Sequence, residues 1–250
     1  MSHLHIPDGF IPPFWLLLGF ILTALMLAIC LRRVRGDDRA RRLPRLGIVS
    51  ALMLIGMSAE IAIIGYHVNL SVIAGILLGP WLGFAAAFLV NIILALFGHG
   101  GVTVIGLNTL ILGAEIMVGG KIFHAFKSRF KPRASAALTT FITLALTTTM
   151  MLAIIALTQI QPALQFSGPA ANAPLIQFEF GTNEIENPVA QLDLARFAAL
   201  TYGFGAIGWT IEAALTSLVI GFFSRARPDL IESDARAQLA QEDYLGTRAN

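Results

Sequence analysis

Six apolar stretches, at 11–31, 46–66, 68–98, 103–120, 134–158 and 195–223, take up most of the 250 residues. A run of about 18 or more apolar residues can cross the hydrocarbon core of a bilayer as a helix. Charged residues make up 13% of the chain, roughly half the ~25% of a soluble domain. Nearly the whole length therefore reads as one polytopic membrane domain, which leaves no room for a separate soluble catalytic domain. The single cysteine, Cys30, lies in the first apolar run, so no internal disulfide can form and its thiol serves as apolar filling. A cleavable signal peptide is not expected. The first ten residues carry no Lys or Arg, and the run after them is too long for a signal h-region.

Charge sets the orientation. Arg32, Arg33, Arg35, Arg39, Arg41, Arg42 and Arg45 stand between the first two runs; Lys121, Lys127, Arg129, Lys131 and Arg133 precede residue 134; and Arg225, Arg227, Arg236 and Arg248 lie in the tail. The positive-inside rule places all three groups in the cytoplasm. The first two can share a side only if 68–98 crosses twice, turning near Gly79-Pro80. That stretch is tight for two full crossings of about 20 residues each, so one crossing must be short or broken and wrapped by protein. The predicted fold is an all-α integral membrane bundle of about seven transmembrane helices, N-terminus outside and C-terminus cytoplasmic. The connection at 159–194 falls outside, and before Arg196 its only charges are Glu179, Glu184, Glu186 and Asp193. Three parts are expected: an extracytoplasmic metal-binding segment at 1–10, the helical domain at 11–223, and a charged, solvated cytoplasmic tail at 224–250.

This topology brings His3, His5, His67 and His99 to the outer face and leaves His124 inside. Imidazole is the commonest protein ligand for transition metals. A terminal amine followed by an ionised amide and an imidazole offers nitrogens in one plane, an arrangement that suits Ni(II) or Cu(II). Binding at such a site releases protons, so affinity should fall at low pH. Three starts would create the chelate: retained Met1 with His3 third, trimmed Met1 with His3 second, or a chain beginning at Leu4 with His5 second. Asp8 is close enough to orient an imidazole. An isolated terminal histidine is ordinarily a solvated tail residue, and the continuation Ile6-Pro7-Asp8-Gly9-Phe10 is what singles out His5.

The run His5-Ile6-Pro7-Asp8-Gly9-Phe10, His67 ahead of Gly79-Pro80-Trp81, and Gly100-Gly101-Val102-Thr103-Val104-Ile105-Gly106-Leu107-Asn108 together resemble the cobalt/nickel substrate-binding subunits of energy-coupling-factor transporters, the CbiM/NikM family. The resemblance covers residues 4 to about 120 well, and Ile211-Glu212-Ala213-Ala214-Leu215-Thr216 resembles the family's last helix. It implies that Co2+ or Ni2+ is the transported ion, held by the amine of Leu4 as the mature N-terminus, the amide and imidazole of His5, and His67. His3 stands behind these as a ligand, while His99 and Asn108, like Asp8, are placed to brace them. The sequence departs from the family in two places. Met1-Ser2-His3 precedes the motif, and the second histidine lies in Gly65-Tyr66-His67-Val68-Asn69-Leu70, where the family carries Gly-Thr-Ser-x-His-Leu.

The resemblance further implies a multi-pass protein of the prokaryotic inner membrane that captures an ion and performs no covalent chemistry. Its expected partners are a transmembrane coupling subunit, cytoplasmic ATPase subunits and a small accessory membrane protein, besides the lipid bilayer; nucleic acid is not among them. No Gly-x-x-x-x-Gly-Lys-Ser/Thr loop is present, so no nucleotide is expected on this chain. An intramembrane metalloenzyme would need an open metal position and a nearby base, yet there is no His-Glu-x-x-His pair and the acids lie far from the histidine loops in sequence. A self-sufficient secondary transporter would carry repeats with matching broken helices, and no clear repeat is seen. Glu60, Glu115 and Glu212 read as intramembrane acids. Such groups should face the bundle interior.

Overall fold

Pro12 and Pro13 open the first helix, α1 (Pro13–Arg33), where proline's missing N–H costs nothing. Arg32 and Arg33 close it, complementing the negative end of the helix dipole. The computed structural model describes residues 11–34, 39–58, 60–61, 66–98, 100–158, 162–165, 177–180, 190–191 and 193–231. After α1 come α2 (Arg39–Ser58), the short strands β1 (Glu60–Ile61) and β2 (Tyr66–His67), α3 (Ser71–Leu96), α4 (Ile105–Lys127) and α5 (Pro132–Thr158). The strands β3 (Pro162–Gln165), β4 (Gln177–Phe180) and β5 (Ala190–Gln191) form a small antiparallel sheet in the order β4-β3-β5. The last helix is α6 (Leu194–Ala226). Asp193 caps it by accepting a hydrogen bond from the Arg196 amide at 2.7 Å.

Helix α3 is two helices folded on each other. Gly79 breaks it with φ 72 and ψ 175, a conformation that only glycine reaches without strain. Residues 74 and 83 would lie about 13 Å apart along a continuous helix. Instead, a Cβ on Gly83 would stand 3.8 Å from the Ala74 carbonyl oxygen, so the chain reverses at Gly79. The first half is roughly 12 Å long, too short to span alone, and is tolerated because protein surrounds it. Val72, Ala74 and Ile76 are fully buried. With the reversal, the described residues form seven helical membrane segments. Five helices are long and apolar enough to cross a membrane, α2 is a shorter apolar helix, and the kinked α3 is counted twice.

The basic groups gather at one end, as the charge pattern predicts. Arg33 stacks on Trp81, 4.7 Å from the ring centroid, just past the Gly79 reversal. Arg133 lies against Gly221 near the end of α6. Asp229, paired to Arg227 through two hydrogen bonds, also feels Arg45 from the start of α2. The Arg227 guanidinium holds the Asp229 carboxyl below its ordinary range. Charges from all three basic regions thus share a face, which the rule makes cytoplasmic. At the opposite, outer end, Ile11, Val104 and Leu107 pack with Trp15, Leu16, Leu110 and Ile154.

Lipid is as apolar as leucine, so close packing rather than water exclusion holds such helices together. Gly75 and Gly120 bring the backbones of α3 and α4 into contact, a Cβ on Gly120 falling 2.8 Å from the Gly75 carbonyl. Gly19 and Gly106 do the same for α1 and α4, where Thr23 Oγ1 donates to the Gly106 carbonyl at 2.8 Å. Two expectations need correction. The run 46–66 is not one helix, since α2 stops at Ser58 and a hairpin follows. Nor is every described residue of the tail solvated: residues 225–229 are exposed, but Ile231 is buried against Val72, Ile76, Phe123, Ala136 and Ile220.

Candidate metal centre

His67 ends β2, and its Cα partner across the hairpin is Glu60. Its Nδ1 is buried. The next residue, Val68, packs among Leu144 and Ala145 at the middle of α5 and Tyr202, Ala206 and Trp209 in the outer half of α6. Gly56 of α2 lies directly behind it, and a side chain there would run into the Val68 carbonyl. The histidine loop is therefore drawn into the bundle from its outer end.

Residues 69–71 are then fastened to three helices. Asn69 and Ser71 are fully buried, as are Glu115 and Glu212. Asn69 Nδ2 donates to Glu115 Oε1 at 2.7 Å, and Ser71 Oγ donates to the same oxygen. Thr147 Oγ1 of α5 donates to Glu115 Oε2 at 2.7 Å. From α6, Glu212 Oε1 accepts the Leu70 amide at 3.2 Å. The Asn69 side chain turns back to accept the Ser71 amide at 2.7 Å, an Asx turn at the start of a helix. Leu70 sits at φ 56, ψ 21, a left-handed conformation that is uncommon outside glycine.

Of the residues singled out in the sequence, His67 and Asn108 are described; His3, Leu4, His5, Asp8 and His99 lie outside the described residues. Asn108 is buried on α4, two turns before Glu115 and so on the same face. Among the described residues, no three His, Cys, Asp or Glu side chains converge as a metal site. Ile11, the first described residue, packs at the outer end.

The acids are closer to the histidine loop than the sequence suggests. Glu60 belongs to the hairpin rather than to a spanning helix, and Glu115 and Glu212 both bond the loop that follows His67. Sequence reading assigned no role to Asn69, Ser71 or Thr147. The spacing of Asn69 and Ser71 at a helix start was the available signal, whereas nothing marks Thr147 among the threonines of α5.

The sequence profile of CbiM, the cobalt uptake substrate-specific transmembrane region, matches residues 5–230. A protein of Haloquadratum walsbyi with the provisional name metal transport protein is 30% identical over 91% of this chain and 93% of its own length. The cobalt transport protein CbiM of Clostridium tetani is 31% identical over 50% of this chain and 55% of that protein. The fused nickel transport protein NikMN of Rhodobacter capsulatus is 32% identical over 43% of this chain and 32% of its length. In fold, a transition metal transporter of known crystal structure superposes with a TM-score of 0.69 at 20% identity, covering 89% of this chain and 93% of that one. The chain belongs to the CbiM family.

Proposed function

We propose that this chain is the ion-capturing membrane subunit of a cobalt or nickel importer. One divalent ion enters from the extracytoplasmic side and is held by nitrogen. The observation that carries this reading is the His67 loop, drawn toward the middle of an apolar bundle from the end where Ile11 packs. The profile match begins at His5, and the relatives named above are cobalt, nickel and metal transport proteins.

The proposed ligands are His67, the imidazole and amide of His5, and the amine of residue 4. An ionised amide and a free amine bind only after losing protons, so acid should release the ion. This ligand set requires that the mature chain begin at Leu4. The intact mass of the purified protein should then correspond to residues 4–250, with residue 4 read as methionine. A mass that retains Met1-Ser2-His3 would remove the terminal amine from the site.

Delivery to the cytoplasm is proposed to depend on partners assembled at a prokaryotic inner membrane: a transmembrane coupling subunit, cytoplasmic ATPases and a small accessory membrane protein. Uptake of radioactive nickel or cobalt by cells expressing this chain should appear only with its coupling and ATPase subunits. Sustained uptake by this chain alone would make it a self-sufficient transporter instead.

A further inference from the structure

We propose that Glu115 and Glu212 are positioning residues, forming a three-helix latch that presents His67 to the ion. The inference rests on the reading of His67 as a ligand and assigns a role to two carboxylates which that reading leaves unused. The latch acts two to four residues from the imidazole. Glu115 receives Asn69 and Ser71 on one oxygen and Thr147 on the other, while Glu212 receives the Leu70 amide. Between them they hold three consecutive loop residues against α4, α5 and α6.

Backbone strain points the same way. Leu70 holds a left-handed conformation, and such positions persist only where surrounding structure over-determines them. The bonds on either side, from the Leu70 amide to Glu212 and from Asn69 to Glu115, provide that constraint. Without them the loop can relax, and His67, two residues before Asn69, shifts with it.

Hydrogen-bond inventories predict which variants matter. Glu115→Gln keeps an oxygen for Asn69 and Ser71. Its new amide can donate to Thr147, whose own proton has the Thr143 and Leu144 carbonyls as alternative acceptors. Glu115→Leu leaves the buried Asn69 and Ser71 donors without that acceptor. Glu212→Gln keeps the oxygen that Leu70 needs, and Glu212→Leu removes it. The latch thus requires acceptor oxygens rather than charge.

The test is calorimetric titration of the purified full chain with NiCl2, read together with the ligand-field spectrum of the nickel-loaded protein. Glu115→Leu and Glu212→Leu should each weaken binding by roughly 10-fold or more, in the range for groups that orient metal ligands. Their spectra should shift toward that of His67→Ala. The Gln variants should stay within about threefold of the parent and keep its spectrum, following from the retained acceptors. If Glu115→Leu does not fold, Asn69→Ala, which removes one arm from the loop side, should show the same loss and shift. Parent-like affinity and spectrum in folded Leu or Asn69→Ala variants would overturn the latch, as would a Gln variant that fails as badly as Leu. Should His67→Ala itself bind nickel like the parent, the ligand assignment fails instead, so the two failures are distinguishable.

Discussion

Replacing Gly75 with valine is expected to destabilise the folded protein by about 3 kcal/mol, the upper end for overpacking a filled interior. A Cβ at this position runs into the Ile116 carbonyl, with the Gly120 amide nitrogen 2.9 Å away. Both neighbours are backbone and cannot swing aside as a flexible side chain would. The contact also joins the buried first half of α3 to α4, so separating these helices would pull the latch apart. Gly203 is the matched control, because a Cβ there meets nothing within 4 Å. Gly203→Ala should stabilise by about 0.5–1 kcal/mol through helix propensity alone. Thermal unfolding in detergent, followed by tryptophan fluorescence, separates the two. Equal midpoints for Gly75→Val and the parent would mean that α3 and α4 do not approach as described.

Topology was the most legible level of this fold, because it depends on charge and length. Three basic clusters and one overlong apolar run were enough to require a reversal at Gly79-Pro80, and the fold has it there. Element ends were less legible. Ile61, Ala62, Ile63 and Ile64 continue the hydropathy of α2 past Ser58, and a short apolar run alone does not tell a helix from a strand. Ile231 was missed for the opposite reason. A single apolar residue among charges carries no periodic signal, and only the three-dimensional neighbourhood of Val72 and Ile76 buries it.

The candidate site divides along the same line. His67 stands out as a candidate in the sequence because it lies just ahead of Gly79-Pro80-Trp81. Its supports do not stand out: Asn69 finds Glu115 across 46 residues and Leu70 finds Glu212 across 142. An acid in an apolar span announces a polar role but does not name its partner. Glu115 and Glu212 are buried, as intramembrane acids should be, and folding brings both to a histidine loop that is distant from them in sequence.

The second large effect is expected at His67. Its loss should weaken nickel binding by at least about 100-fold, since even groups that only orient a ligand are worth about 10–100-fold. The bonds of Asn69, Leu70 and Ser71 remain when the imidazole is removed, so His67→Ala should fold. Loss of binding would then report ligation and not collapse. Cobalt should follow the same pattern with lower intrinsic affinity, as expected for nitrogen ligands.

X-ray absorption at the nickel edge of the loaded protein tests the shared site most directly. The expected result is a nitrogen shell containing two imidazoles, falling to one in His67→Ala. An imidazole count unchanged by that substitution would contradict a site closed between the start of the chain and His67.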